Sequence, residues 1–261
     1  MTEAATRHTP GTPCWTSLMV HSLSATQDFY HALFDWEFAP GPQQLGAYVR
    51  ALRDGRPVAG LGELPPERQL PVSWLTYLSS NDADETAEMI RACGGTVAVG
   101  PLDADEAGRM LIAADPEGAV FGVWQEDEHA APRQAGAPGT PVWHELTARE
   151  SGAVAKFYQM VFGYEPGVAE SAPSPEPGRR TLHLAGRPVC AIRSVGRALP
   201  RDRGAHWMTH FAVADVDEAV RRVAELGGRV VEPPSDGPTG RAALVMDREG
   251  AAFTVVRAAG A

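Results

Sequence analysis

Residues 15–20 (WTSLMV) alternate apolar and polar side chains, the period-two pattern of a strand with one buried face. Behind them, residues 24–34 (SATQDFYHALF) place Phe29, Tyr30, Leu33 and Phe34 at helical spacing after a serine cap. Two later segments, ADETAEMIRACGG and VDEAVRRVAELGG, open with acidic residues and stop at Gly–Gly. Carboxylates suit the positive end of a helix dipole and glycine suits the residue that closes a helix, so both read as helices. Short strand candidates lie between and after them: LGAYVRAL, RPVAGL, TVAVG, MLIAA and VFGVW, each with a counterpart further along. The order predicted is strand, helix, several strands, twice in each half of the chain.

The halves are copies of one another. Trp15 ahead of Phe29–Tyr30 returns as Trp143 ahead of Phe157–Tyr158, and RPVAGL (56–61) returns as RPVCAI (187–192). WLTYLSSNDADETAEMIRACGG (74–95) returns as WMTHFAVADVDEAVRRVAELGG (207–228), and GRMLIAADPEGAVFGV (108–123) as GRAALVMDREGAAFTV (240–255). The offsets stay between 128 and 133, with the drift falling in loops. This predicts two tandem domains, 10–127 and 138–259, joined by a linker at 128–137 that is rich in Ala, Pro and Gly. In the second copy, residues 165–180 hold four prolines and no apolar anchor, which predicts a loop able to act as a lid.

The stretch WHELT (143–147) begins like the zinc motif H-E-x-x-H, but Ala148 stands where the second histidine belongs. Copy one has Thr16–Ser17 in place of His144–Glu145. On a strand the two side chains point to opposite faces and cannot chelate one ion.

At 261 residues and 44% apolar, the chain can bury one large core or two ordinary ones. It has no apolar run long enough to span a bilayer, and MTEAATRHTPGTP lacks a signal-peptide core, so a cytoplasmic location without membrane contact is expected. A net charge of −10 argues against nucleic acid or an anionic surface as partner. Cys14, Cys93 and Cys190 are widely spaced with no C-x-x-C, and read as reduced core thiols. No glycine-rich phosphate loop, nucleophile elbow or dinucleotide fingerprint occurs.

Three sets of residues carry a family resemblance: FY-x2-LF-x-W (29–36) and FY-x2-VFGY (157–164); the helices opening DADE and DVDE; and the closing DPEGAVFG (115–122) and DREGAAFT (247–254). Through them the chain resembles the vicinal oxygen chelate superfamily of glyoxalases, bleomycin-resistance proteins and extradiol dioxygenases, in its tandem two-domain, hydroxylase- or glyoxalase-like branch. The resemblance implies an α+β fold of two tandem domains. Each would be two βαβββ modules forming a cupped mixed sheet, with helices on its convex side.

It also implies where a metal would sit: at the start of the first strand, seven residues before the helix-opening aspartate, and seven after the D-P-x-G aspartate. Those positions hold Trp15, Leu75 and Gly122 in copy one, and Trp143, Met208 and Thr254 in copy two. None is a good ligand for a divalent ion, and near the fourth position, which is harder to align, only Glu63 offers a carboxylate, so no metal and no cofactor are expected. If the ligand positions face the cup, alternation puts Trp15, Ser17, Met19, Tyr77 and Trp124 inside in copy one. In copy two it puts Trp143, Glu145, Thr147, Met208, His210 and Thr254 there, a mainly aromatic and apolar lining suited to a small molecule.

The expectation is a metal-independent protein that binds or acts on an aromatic or polycyclic metabolite, in secondary metabolism or detoxification, as monomer or homodimer. The alternative is an isomerase, lyase or hydroxylase in which Glu145 and His210 move a proton. Against it, Glu145 can instead pair with Arg149 or Arg193, and His210 can bind a carbonyl. A metal-dependent glyoxalase or dioxygenase is the weaker alternative.

Overall fold

The structure is a computed structural model. It describes residues 8–42, 46–65, 67, 71–104, 108–126, 136–166, 178–201, 203–237 and 240–257. Four βαβββ modules follow one another along the chain. The first is β1 (Pro13–Val20), α1 (Leu23–Phe34), β2 (Glu37–Pro40), β3 (Tyr48–Arg53) and β4 (Arg56–Glu63). The second is β5 (Trp74–Ser79), α2 (Ala83–Ala92), β6 (Thr96–Asp103), β7 (Gly108–Ala114) and β8 (Val120–Glu126). The third is β9 (Pro141–Ala148), α3 (Ser151–Phe162), β10 (Glu165–Pro166), β11 (Arg179–Leu184) and β12 (Arg187–Ser194). The fourth is β13 (His206–Val213), α4 (Val216–Glu225), β14 (Arg229–Gly237), β15 (Gly240–Met246) and β16 (Ala252–Arg257).

The strands form two mixed sheets, ordered β2-β3-β4-β1-β5-β8-β7-β6 and β10-β11-β12-β9-β13-β16-β15-β14. Within each module the first and last strands pair in parallel and the others are antiparallel. This is the α+β arrangement that the resemblance implies. The expected linker (128–137) and lid (165–180) fall largely outside the described residues.

Packing groups the modules across the two copies. One compact unit draws on residues within 1–15, 75–130 and 144–207, and so combines the second module with the third. The other draws on 16–74, 131–143 and 208–261, combining the first with the fourth. In the first unit Leu78, Ile90, Leu111 and Phe121 share a core with Leu146, Phe157, Tyr158 and Trp207. In the second, Leu18, Tyr30, Phe34 and Trp36 share one with Phe211, Val245 and Phe253.

The residues that repeat most clearly are those that join the modules. In the first unit Trp207 Nε1 donates to Tyr158 Oη (3.0 Å), and that hydroxyl donates to Asp115 Oδ2 (3.1 Å). Asp115 Oδ1 accepts from the backbone of Glu117 and Ala119, closing its own turn. The second unit repeats the relay with Trp74, Tyr30 and Asp247 at 3.1 and 3.0 Å. Each buried polar atom thereby finds a partner, which a buried hydroxyl and carboxyl require. The glutamate two residues on serves a helix of the other copy. Glu249 accepts from the backbone N–H of His21 and Ser22 (2.6 and 2.8 Å) ahead of α1, and Glu117 from Arg149 and Glu150 (2.7 and 3.2 Å) ahead of α3. The serine cap expected for α1 is corrected here: its N-cap is Ser22, whose side chain makes no capping hydrogen bond. The carboxylate from the opposite repeat takes that place at the positive end of the helix.

Asp82 and Asp215 do cap their own helices, accepting from Glu85 N and Glu218 N at 2.9 Å. The Gly–Gly stops serve two ends. Gly94 and Gly227 take left-handed conformations (φ 86° and 82°). Gly95 and Gly228 permit close approach, since a Cβ would lie 2.8 Å from Ala114 O and 2.5 Å from Met246 O respectively.

Candidate functional site

In the first unit, β9, β12 and β11 set three charged side chains on the face of the sheet away from its core. Leu146, Ala148, Leu182, Cys190 and Ile192 are buried in the helix-packed core. Alternation therefore turns Glu145, Thr147, Arg179, Ala191 and Arg193 the other way. Glu145 is 6% exposed at its side chain; its Oε2 accepts from Arg179 Nε and its Oε1 from Arg193 Nε, both at 2.6 Å. One guanidinium thus meets each oxygen of Glu145. Of the partners weighed from sequence, Arg193 is found. Arg179 was not foreseen, because it follows the proline-rich loop where the copies lose alignment; its opposition to Leu182 and Leu184 in the strand pattern was the available signal.

The same unit holds a buried aromatic pair in copy one. Tyr77 on β5 pairs in register with Gly122 on β8, and Ser79 with Trp124. The Tyr77 ring lies over Gly122, where an added Cβ would meet it at 2.1 Å. Trp124 meets Tyr77 edge to face, centroids 6.1 Å apart. The Trp124 indole Nε1 is buried and has no acceptor among the described residues. Trp124 also borders a cleft of about 20 Å³, room for one water molecule, with His8, Ser79, Ser80, Asn81, Gln125 and Glu126. Trp15 lies in this unit, half-buried on β1.

The second unit holds Ser17, Met19, Trp143, Met208, His210 and Thr254. Ser17 and Met19 pair in register with Gly60 and Gly62. Tyr48 covers both glycines, its Oη 1.7 Å from a Cβ built on Gly60, while Met19 Sδ is 2.6 Å from one on Gly62. His210 pairs in register with Thr254, and Met208 is buried. Glu145 and His210 thus belong to different units.

His144 has a structural partner. Its Nδ1 lies 2.9 Å from Thr76 Oγ1, and the equivalent position in the repeat is Thr16, 3.2 Å from Thr209 Oγ1. Cys14, Cys93 and Cys190 form no disulfide among the described residues. Burial pushes the Cys190 thiol up to about 12, which leaves it protonated and inert as a nucleophile.

Residues 143–256 match the profile of a glyoxalase-like domain. The chain is 34% identical, over 96% of its length and 94% of theirs, to the anthracycline biosynthesis proteins DauV of Streptomyces sp. (strain C5) and DnrV of Streptomyces peucetius. It is 32% identical, over 95% of each chain, to the putative glyoxylase CFP32 of Mycobacterium bovis. The chain belongs to the glyoxalase-like branch of the vicinal oxygen chelate superfamily. Solved structures share this fold at low identity. The 2,3-dioxygenase LapB from Pseudomonas sp. KL28 superposes with TM-score 0.63 at 15% identity, covering 95% of this chain and 93% of that one. A Mn(II)-bound glyoxalase from Novosphingobium aromaticivorans gives 0.62 at 15%, covering 96% and 84%.

The residues at the positions that the resemblance assigns to a metal do not fit a divalent ion. The positions in question hold Trp15, Leu75 and Gly122, and Trp143, Met208 and Thr254. A carboxylate at 122 would collide with the Tyr77 ring. Among the described residues, no three His, Cys, Asp or Glu side chains are grouped to hold an ion.

Proposed function

We propose that this protein binds a small aromatic or polycyclic metabolite of secondary metabolism without a metal ion. The observation that carries the reading is the aromatic pair of the first unit. Where a metal carboxylate would stand, the Tyr77 ring lies over Gly122 and meets Trp124 edge to face. Rigid rings of this kind offer stacking area at little entropic cost, and the Trp124 N–H, without an acceptor among the described residues, supplies a donor for a ligand oxygen. Kinship to two anthracycline biosynthesis proteins over nearly the whole chain supports a planar, oxygenated polycycle as the ligand class.

Glu145 serves in this reading as the anchor of two guanidinium groups. The test is a titration of the metal-free protein with a soluble anthraquinone derivative, followed by tryptophan emission and calorimetry. Saturable binding at micromolar concentration is expected, unchanged by EDTA and weakened about tenfold or more in Trp124→Ala, the scale for losing a buried aromatic anchor. Binding that appears only after stoichiometric metal is added would overturn the proposal.

A further inference from the structure

We infer that His8 is a binding residue of the Trp124 site, held in place by Ser79, and that it meets an oxygen on the edge of the aromatic ligand; this rests on the function proposed above. Ser79 is buried on β5 and is the register partner of Trp124 on β8. Its backbone holds the turn that precedes β1: Ser79 O accepts from Gly11 N (2.8 Å) and Ser79 N donates to Thr12 O (2.9 Å). Its hydroxyl adds a third tie, donating to Thr9 O at 2.7 Å. From the other side Tyr164 Oη donates to Gly11 O. Gly11 takes a left-handed conformation (φ 88°), and a Cβ there would stand 2.9 Å from Phe162 Cβ. A turn tied down on both sides fixes the residue just before it, and His8 there borders the same cleft as Trp124 and Ser79.

The second repeat shows which of these ties the fold requires. Its turn, 137–140, keeps the two backbone bonds, from Gly139 N to Ala212 O (2.8 Å) and from Ala212 N to Thr140 O (2.9 Å). The hydroxyl tie is gone, because Ala212 stands at the place of Ser79. The carbonyl that Ser79 serves in copy one is met there from within the turn, Thr140 Oγ1 donating to Ala137 O at 2.7 Å. Thr12 repeats Thr140, so the fold has a local donor for this carbonyl and does not need Ser79 to supply one. Gly136 and Val256 stand at the places of His8 and Trp124. Where the aromatic anchor is lost, the hydroxyl and the imidazole are lost with it. The cleft decides what His8 meets: at about 20 Å³ it admits one water-sized group, a ring substituent and not a ring. Asn81 and Gln125 on its walls carry hydrogen-bonding amides, so the substituent that suits it is an oxygen, carbonyl or hydroxyl.

The experiment measures anthraquinone-2-sulfonate, and anthracene-2-sulfonate that lacks its two ring oxygens, by calorimetry on the full-length protein, His8→Ala, Ser79→Ala and the double variant. His8→Ala is expected to weaken the quinone at least about fivefold, the scale of one hydrogen bond, and the anthracene by less than about twofold. Ser79 is a positioning residue: Ser79→Ala alone is expected to give the same loss, and none beyond that of His8→Ala in the double variant. A merely structural serine would weaken both probes alike or add its loss to that of His8→Ala. Either result overturns the inference with aromatic binding intact, as does a His8→Ala protein that binds the quinone like the wild type. If neither probe binds the wild type, the proposed function fails with it. Thermal melts establish that the variants are folded. Should Ser79→Ala not fold, His8→Ala read against the two probes decides: equal losses, or none, sink the inference.

Discussion

Asp115 and Asp247 are carboxyls whose three hydrogen bonds favour the charged form, yet burial outweighs them and raises both above the ordinary aspartate range. The folded state therefore binds protons more tightly than the unfolded chain at these sites. Their stabilising contribution is complete below the unfolded value of 3.8 and declines as pH rises through the folded value. Asparagine imitates the protonated form but cannot accept from the tyrosine hydroxyl on its amide side. Asp115→Asn is thus expected to cost about 1–2 kcal/mol near pH 4 and less near neutrality. Urea unfolding at the two pH values measures it, and a cost that grows with pH would show the charged form to be the favoured one. Tyr158 and Tyr30, raised far above their usual range by burial, stay protonated donors throughout.

At the scale of elements, the helices borrow their caps. Neither α1 nor α3 is capped by the side chain of its own N-cap residue, and each receives the carboxylate of a D-x-E-G turn from the other repeat. Removing that carboxylate leaves two backbone N–H groups without their acceptor and the helix dipole without its counter-charge. Glu249→Ala is expected to lose about 1–2 kcal/mol in chemical unfolding, and Glu249→Gln about half of it, with only the charge-dependent part fading in salt. Equal stability of all three proteins would assign the cap no energy.

Why these elements were legible follows from what they share. Period-two and period-3.6 patterns, the D-x-D-E starts and the Gly–Gly stops depend on neighbours in sequence, so strands, helices and the twofold repeat could be read directly. The purpose of the D-x-E-G turns could not, since Asp115 meets Tyr158 and Glu117 meets Arg149 only through packing between repeats. Counting alone placed Leu75 and Gly122 at positions that the resemblance assigns to a metal. That Tyr77 fills the place of Gly122 needed the register of β5 against β8. Arg179 escaped for a similar reason: strand alternation fixes its face, but only the pairing of β9, β12 and β11 brings it to Glu145.

For the whole molecule, the consequence is that neither repeat owns a complete core. Residues 1–130 alone would carry Leu18, Phe34 and Trp36 without Phe211 and Phe253, and Phe121 without Phe157 and Tyr158. Tyr30 would lack Asp247, and Asp115 would lack Tyr158. Two copies of this fragment can answer each other's need, because Asp115 repeats Asp247 and Leu78 and Phe121 repeat Phe211 and Phe253. The fragment is therefore expected to form a homodimer, measurable by light scattering after size exclusion. Leucine replacing Phe211 in each core leaves it underfilled, at a cost of about 1 kcal/mol or more per site. Mixing with residues 136–261 should then convert homodimers to a one-to-one complex with a higher melting temperature. A folded monomer of 1–130 with native-like cooperativity would sink the argument, since it would show that the second and third modules do not need one another.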